Sequence, residues 1–303
     1  MITKIAFLLI LMAVVPDIYI DRRFLRRMRG RRALMCRLLW WLPTIAMIAY
    51  TMVFVFDRQF APSDIRLLNV YLFLVGLFVT PKCLFAICSS IGWGIRKMLR
   101  SRANYGNLVG VVMVVLNWYV LFYGSFWGFD DIRVRKVTFE SAQLPEAFDG
   151  YRIVQFSDAH VGSYIGGKEH LLQMIVDTIN AQNADMVVFA GDLQNREPQE
   201  IRPFVDVLSG IKAKDGVFSV IGNHDYADYI DASPTTKVAN EMETRRLEKK
   251  MGWQLLVNEH KVIRRDADSI VIAGLDNDGD GKKFPQRGDV AKALYGVSDS
   301  AFV

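Results

Sequence analysis

The chain has 303 residues, of which 51% are hydrophobic, and a formal net charge of +5; this length allows about two domains. Residues 1–128 carry a net charge of +12 and residues 129–303 a net charge of −7. The basic balance therefore belongs to the apolar half and does not indicate a nucleic-acid partner. All three cysteines lie in that half, which excludes a disulfide framework or a cysteine metal site in the acidic half.

The first half contains four apolar stretches that approach the roughly 20 residues needed to cross a bilayer. They lie at about 5–20, 38–56, 67–89 and 108–129. We therefore predict a transmembrane helical anchor of about four helices over residues 1–130. Pro81 and Lys82 interrupt the third stretch, which predicts a kink or a lysine that snorkels toward the membrane surface.

The basic residues of the first half predict its orientation. Eight arginines lie in 21–37 and four basic residues in 90–107, and the positive-inside rule places such loops in the cytoplasm. The fourth stretch then carries the chain to the extracytoplasmic side. We expect the arginine cluster only to set the membrane orientation of the chain. The alternative is that it also binds anionic lipid headgroups.

The second half alternates between strand-like and helical patterns. Apolar, β-branched runs predict buried strands at 151–156, 185–190 and 216–221. Helical stripes follow them at 167–183, 198–211 and 236–253. The alternation predicts an α/β domain over 131–303 with a largely parallel sheet and right-handed crossovers. Strand-like pieces without a long helix between them follow residue 253, and 132–139 alternates like an edge strand.

Polar motifs follow each of the three predicted strands. They are SDAHVG with Asp158 and His160, GDLQN with Asp192, and GNHD with Asn223, His224 and Asp225. The carboxyl edge of such a sheet is where ligands bind, and oxygen and nitrogen ligands converging there suit a pair of divalent metal ions. The alternative is that Gly-Asp and Gly-Asn only form turns.

The series D-x-H, G-D and G-N-H-D resembles the calcineurin-like metallophosphoesterase superfamily, in its membrane-anchored bacterial branch. The resemblance covers the chain from Tyr151 onward and implies a β-sandwich flanked by helices. Members carry two further histidine pieces downstream, a lone His after a strand and then G-H-x-H. This chain has histidines at 160, 170, 224 and 260, so we expect the sequence to continue beyond Val303.

The resemblance also implies a role for each motif residue. Asp158 and His160 would bind one metal ion, Asp192 would bridge two ions, and Asn223 would bind the second. His224 would donate a proton to the leaving oxygen or stabilise charge in the transition state, and Asp225 would fix its tautomer. The two ions would be Mn, Fe, Zn or Mg.

The remaining two histidines are not predicted to bind metal. We expect His170 to be a solvated surface residue and His260 to be structural.

These observations predict a membrane-anchored metallophosphoesterase at the bacterial inner membrane, with its phosphoesterase domain extracytoplasmic. Its substrate would be a phosphomonoester, phosphodiester or pyrophosphate, lipids and glycolipids included. One alternative is a UDP-2,3-diacylglucosamine-type pyrophosphatase of lipid A synthesis, whose cytoplasmic substrate conflicts with that orientation. The other is a non-catalytic membrane protein that uses the fold for binding.

Overall fold

The computed structural model describes residues 2–56, 65–128, 131–279, 284 and 286–303. Contacts divide the chain into two compact units, 1–131 and 132–303. Residues 57–64 of the loop predicted after the second span, and residue 129 at the predicted end of the fourth, lie outside the described residues.

The first unit is helical. Its helices are α1 (Ile2–Arg23), α2 (Arg31–Phe56), α3 (Ile65–Leu74), α4 (Thr80–Met98) and α5 (Tyr105–Phe126), and a π-helical turn at Val75–Val79 joins α3 to α4. Three described helices are long and apolar enough to cross a membrane, namely Arg31–Phe56, Arg66–Met98 and Tyr105–Phe126. The first predicted span is helical as α1 but falls outside these three.

Two glycines bring α4 and α5 into backbone contact. A Cβ on Gly106 would lie 2.2 Å from the Cys88 carbonyl oxygen and 2.7 Å from the Gly92 Cα. Small residues at such crossings let helices approach closely where lipid supplies no hydrophobic driving force. This pair therefore sets the spacing of α4 and α5.

The second unit is built around a parallel sheet. Its strands are β1 (Ile153–Phe156), β2 (Met186–Phe189), β3 (Val217–Ser219) and β4 (Gln254–Leu255), in that spatial order. All three neighbouring pairs are parallel. Helix α6 (Glu169–Ala181) lies between β1 and β2, α7 (Val205–Leu208) between β2 and β3, and α8 (Pro234–Lys250) between β3 and β4. The predicted α/β domain with a parallel sheet is confirmed.

The two faces of this sheet bury different partners. Side chains of successive strand residues point to opposite faces, so Val187 and Phe189 share a core with Val176 of α6 and Leu247 of α8. Met186 packs on the other side, in a cluster with residues of the second sheet.

The second sheet is antiparallel and consists of β5 (Glu259–Arg265) and β6 (Asp268–Gly274). Ile263 and Ile270 from these strands share one core with Met186 and Phe218. The first sheet is therefore covered by helices on one face and by a second sheet on the other. A last short helix, α9, spans Val290–Ala293.

Two predicted elements differ from the structure. The helix predicted over 198–211 is two short 3-10 turns followed by α7, because Pro203 lacks a backbone N–H and clashes with a preceding helical turn. The edge strand predicted over 132–139 is wrong: the described residues 131–140 contain no strand, and 133–140 are all exposed. Alternation alone forms no strand where no apolar face is buried.

Candidate metal centre

The three polar motifs lie side by side at the carboxyl edge of β1, β2 and β3. The Asp158 amide donates to the Gly191 carbonyl at 3.0 Å, and the His160 amide donates to the Asp192 carbonyl at 3.1 Å. The His224 amide in turn donates to Asp192 Oδ1 at 2.9 Å. Backbone bonds therefore join each loop to the next, and Asp192 lies at the centre.

Three of the motif residues adopt a left-handed backbone. The φ angles are 53° at Asp158, 41° at His160 and 64° at Asp192. This region costs a non-glycine residue about 1–2 kcal/mol, and such strain concentrates at functional sites, where the surrounding structure holds it. The conformation aims side chains of neighbouring loops toward one another.

Two glycines allow the second and third loops to touch. A Cβ on Gly191 would lie 2.5 Å from the Gly222 nitrogen, and a Cβ on Gly222 would lie 2.2 Å from Asp192 Oδ1. Any other side chain at Gly222 would displace the Asp192 carboxylate. The glycines of G-D and G-N-H-D are therefore required by this close approach, in addition to any turn they form.

Asp225 lies beneath the loops and is fully buried. Its carboxylate accepts from the amides of Asp192, Leu193, Gln194 and Gly222 at 2.9, 2.9, 3.3 and 3.0 Å. Burial raises the pKa of this carboxyl to about 6, although the amide hydrogen bonds favour the ionised form. Asp225 thus holds the second and third loops together.

Asp225 does not make the contact with the His224 ring that was expected of it. The contact expected to fix the tautomer of His224 belongs to Asn195, whose carbonyl oxygen lies 2.7 Å from His224 Nδ1. His160 has a matching contact, with its Nδ1 3.2 Å from the Gln194 carbonyl oxygen. A carbonyl only accepts, so both Nδ1 atoms carry the hydrogen.

Both histidines therefore present Nε2 to the site. Their rings meet edge to face, with centroids 4.6 Å apart. The candidate ligand atoms of His160, Asp192 and His224 all lie within 4.8 Å of one another. Two imidazoles and one carboxylate, with each imidazole oriented by a backbone carbonyl, form a donor set that could hold a divalent cation.

The other two predicted ligands border this group. Asp158 Oδ1 lies 3.9 Å from His160 Nε2, and its side chain is 67% exposed. Asn223 Nδ2 donates to the Tyr229 hydroxyl at 2.8 Å, which makes the amide oxygen the group suited to a cation. The structure thus brings Asp158, His160, Asp192, Asn223 and His224 to one edge, while His170 is exposed on α6 and His260 contacts the Ala293 carbonyl at 2.7 Å.

Sequence reasoning missed three residues that shape the site. Gln194 is fully buried and links the His224 carbonyl to Thr244 of α8. Glu200 accepts from the amides of Asn195 and Arg196 at 2.7 and 3.2 Å. Tyr229 stacks on the His224 ring with centroids 4.2 Å apart. Gln194 is part of the GDLQN motif, but no local pattern marks Glu200 or Tyr229.

Both halves of the chain match known families. Residues 151–291 match the family described as calcineurin-like phosphoesterase. Residues 3–129 match the family described as probable calcineurin-like phosphoesterase, transmembrane domain. The two matched regions include the three motif loops and helices α2, α4 and α5.

Several curated proteins are similar to this chain. A transmembrane protein with metallophosphoesterase domain from Danio rerio is 33% identical over 62% of this chain and 41% of the relative. The uncharacterized metallophosphoesterase YkuE of Bacillus subtilis is 34% identical over 48% of each chain. The UDP-2,3-diacylglucosamine pyrophosphatase LpxG of Chlamydia muridarum is 33% identical over 36% of this chain and 34% of the relative.

The aligned regions span less than half the length of each of these three relatives. The family matches nevertheless cover both units, and the donor set at the sheet edge agrees with the metal-dependent chemistry of such proteins. This chain belongs to the calcineurin-like metallophosphoesterases and is a membrane-associated member with a transmembrane domain.

Proposed function

We propose that this protein is a membrane-anchored hydrolase that uses two divalent metal ions to cleave a phosphoester or pyrophosphate bond. The observation that carries the proposal is the convergence of the three loops, which brings one ring nitrogen each of His160 and His224 and one carboxylate oxygen of Asp192 within 4.8 Å of one another. Bound cations would neutralise the phosphate oxygens and lower the pKa of water enough to supply a nucleophile near neutral pH.

The proposed ligand set follows the three loops. Asp158 and His160 would hold the first ion, Asn223 would hold the second, and Asp192 would serve both. The central position of Asp192 supports the bridging role, because the Asp192 backbone bonds to the loop of His160 and its carboxylate accepts from His224 N. The ions would be Mn, Fe, Zn or Mg: imidazole suits Fe and Zn, and carboxylate and amide oxygens suit Mn and Mg.

His224 is the proposed proton donor to the leaving oxygen. Its Nδ1 hydrogen is committed to the Asn195 carbonyl, and stacking on Tyr229 fixes the ring plane. A protonated Nε2 is then the atom that faces the site, within reach of a substrate oxygen. Asp225 supports this group indirectly, because it holds the loop that carries Asp192 against the loop that carries His224.

The proposed substrate class is a phosphate ester of a lipid or glycolipid. The transmembrane domain keeps the enzyme at a membrane, where such substrates are concentrated. A second candidate is a pyrophosphatase acting on UDP-2,3-diacylglucosamine, which the similarity to LpxG favours. The two candidates require the phosphoesterase domain on opposite sides of the membrane, since the second substrate is cytoplasmic.

The proposed orientation places the phosphoesterase domain outside the cytoplasm of a bacterial cell. The basic segments 21–37 and 90–107 include the C-terminal ends of α1 and α4. Contacts between these helices run in the same order along both, so their basic ends lie on one side. A reporter fused at residue 135 tests the orientation: activity of a reporter that works only in the cytoplasm would reverse it and favour the second candidate.

Hydrolysis of bis-p-nitrophenyl phosphate by the full-length protein with added Mn²⁺ tests the enzymatic proposal. We expect metal-dependent turnover that Asp192→Asn abolishes and Asp206→Asn preserves, because Asp206 is exposed on α7, away from the three loops. Metal-dependent turnover that Asp192→Asn leaves intact would place the chemistry elsewhere. No turnover from any form would favour the non-catalytic alternative.

A further inference from the structure

A groove runs between α1 and α4 in the transmembrane unit. Its volume is about 560 Å³, within the range of about 300–1,000 Å³ that is typical of ligand pockets. Its walls are almost entirely apolar, with Leu11, Val15 and Pro16 on α1 facing Ile87 and Ile91 on α4. Apolar walls of this kind accommodate an alkyl chain.

Short side chains on α4 open this groove. Cys83, Ala86 and Ser90 line it at helical spacing, and these short side chains leave room between α4 and α1. Pro16 of α1 lies opposite, where a proline removes a helical hydrogen bond and bends the helix. The groove therefore follows from the sequence of both helices.

Hydrogen bonds keep the two walls at a fixed separation. The Cys83 thiol donates to the Met12 carbonyl at 3.1 Å, and the Tyr19 and Ser89 hydroxyls lie 2.8 Å apart. Ser89 also donates to Asn107 of α5 at 2.6 Å. These contacts set the width of the groove.

One end of the groove is basic. The contacts of Met12 with Cys83 and of Tyr19 with Ser89 show that α1 and α4 are parallel, so their last turns lie at the same end. Arg22 and Arg23 follow Tyr19 by three and four residues, which places them on the same face of α1. Lys97 follows Ser90 by seven residues, two turns along the same face of α4.

The acidic residue nearest to these cations along the chain is already neutralised. Asp21 is 3% exposed and accepts from Arg37 at 2.6 and 3.1 Å and from Arg26 at 3.1 Å. Its charge is therefore compensated by arginines outside the groove. The basic end keeps a net positive charge that complements an anionic group.

We propose that this groove binds one acyl chain of an anionic phospholipid, whose phosphate group lies between Arg22, Arg23 and Lys97. Basic pockets between transmembrane helices bind phosphate headgroups in this way. The lipid is a bound ligand of the transmembrane unit, and the proposal does not rest on the phosphoesterase activity.

Native mass spectrometry of the delipidated full-length protein tests the site with two defined lipids, dioleoyl phosphatidylglycerol and dioleoyl phosphatidylcholine. We expect phosphatidylglycerol to bind more tightly. The combined variant Arg22→Ala, Arg23→Ala, Lys97→Ala should bind it at least about tenfold more weakly, since it removes the three cations proposed to hold the headgroup.

A matched triple variant separates a site from general charge attraction. Arg29→Ala, Arg31→Ala, Arg32→Ala removes the same charge from exposed positions of the same basic segment and should change affinity by less than about threefold. Equal losses in the two triple variants, or equal binding of the two lipids by the parent protein, would overturn the headgroup assignment.

A second pair of variants tests the acyl chain. Ser90→Phe fills the groove from an exposed position and should weaken binding of both lipids at least about tenfold, since it removes the apolar contact. Gly124→Phe adds the same ring on α5, where a Cβ meets no atom within 4 Å, and should bind as the parent does. Ser90→Leu is the smaller replacement should Ser90→Phe fail to fold, and unchanged binding by a folded Ser90 variant would reject the groove.

Discussion

Lys82 of α4 forms an ion pair of 2.9 Å with Asp17 of α1 inside the transmembrane unit. The Asp17 carboxylate also accepts from Trp40 at 2.9 Å and from Thr44, both of α2, and Lys82 donates to Thr44 at 2.8 Å. Three helices thus meet at one polar cluster in which both charges are compensated. The stretch that contains Pro81 and Lys82 was predicted to kink or to let the lysine snorkel. Lys82 does not snorkel: it is buried and paired, because Asp17 reaches the same depth.

Removal of one member of this pair should destabilise the protein. Lys82→Met leaves the Asp17 carboxylate buried without its cation, which costs about 3–5 kcal/mol for a buried pair. The double variant Asp17→Asn, Lys82→Met should recover much of this loss, because no charge is then left uncompensated. Thermal unfolding in detergent compares the two, with exposed Arg29→Met as the control. Equal loss in the single and double variants would contradict the ion-pair account.

Replacement of Gly222 should disturb the metal centre specifically. In Gly222→Ala the new Cβ would lie 2.2 Å from Asp192 Oδ1, so the carboxylate must move. We expect weaker metal binding by at least about tenfold, as seen when ligand orientation is lost. Gly150→Ala is the control: its φ of 69° makes alanine costly, yet its Cβ meets no atom within 4 Å. It should lower stability and keep the metal, as measured by elemental analysis.

Loss of His224 should separate catalysis from metal binding. His224→Ala removes the proposed proton donor, so kcat should fall by about 10²–10⁴, while the bound metal per protein should stay equal to that of the parent. His160→Ala, which removes a proposed ligand, should lose metal as well as activity. If His224→Ala also loses metal, His224 is a ligand and the proton donor is another group.

The hydroxyl of Tyr229 should strengthen metal binding through Asn223. It accepts from Asn223 Nδ2 at 2.8 Å, which orients the amide oxygen toward the site. Tyr229→Phe keeps the ring that stacks on His224 but removes this contact, so metal affinity should fall about tenfold. Competition with a chelator measures the affinity. Tyr295→Phe, at an 84% exposed residue, should show no change, and an unchanged Tyr229→Phe would contradict the orientation argument.

Stability should fall with rising pH because of Glu248. Burial raises its pKa from 4.5 to about 8, so the folded state holds a proton that the unfolded chain has released. Its contribution to stability is complete below pH 4.5 and is lost as the pH rises toward 8. Glu248→Gln should therefore stabilise the protein more at pH 8 than at pH 5, by at least about 1 kcal/mol.

Glu243, also on α8, is the matched control for this pH dependence. Hydrogen bonds from Arg246 and Arg202 lower the pKa of this carboxyl to about 2, so its contribution is lost only as the pH falls below 4.5. Glu243→Gln should leave the slope of stability between pH 5 and pH 8 unchanged. Parallel slopes for the parent and Glu248→Gln would show that Glu248 does not titrate in this window.

Sequence patterns were sufficient to predict the three strands of the metal centre and the motif loops that follow them. Runs such as 151–156 and 185–190 are apolar over a whole strand, and their ends carry Asp158 and Asp192. Because parallel strands end at one edge of a sheet, strand assignment alone brings these side chains together. A local sequence pattern is enough to predict an element when the residues within that element determine its conformation.

The groups that orient the site could not be predicted from sequence patterns, because they come together only in the folded chain. Asp225 was expected to contact the His224 ring, but the approach of Gly191 to Gly222 places four backbone amides around its carboxylate instead. The Asn195 carbonyl consequently contacts His224 Nδ1. In the transmembrane unit, Asp17 pairs with Lys82, which lies 65 residues away in the chain. Such contacts depend on the packing of distant segments, because each hydrogen bond requires a partner that no local pattern specifies.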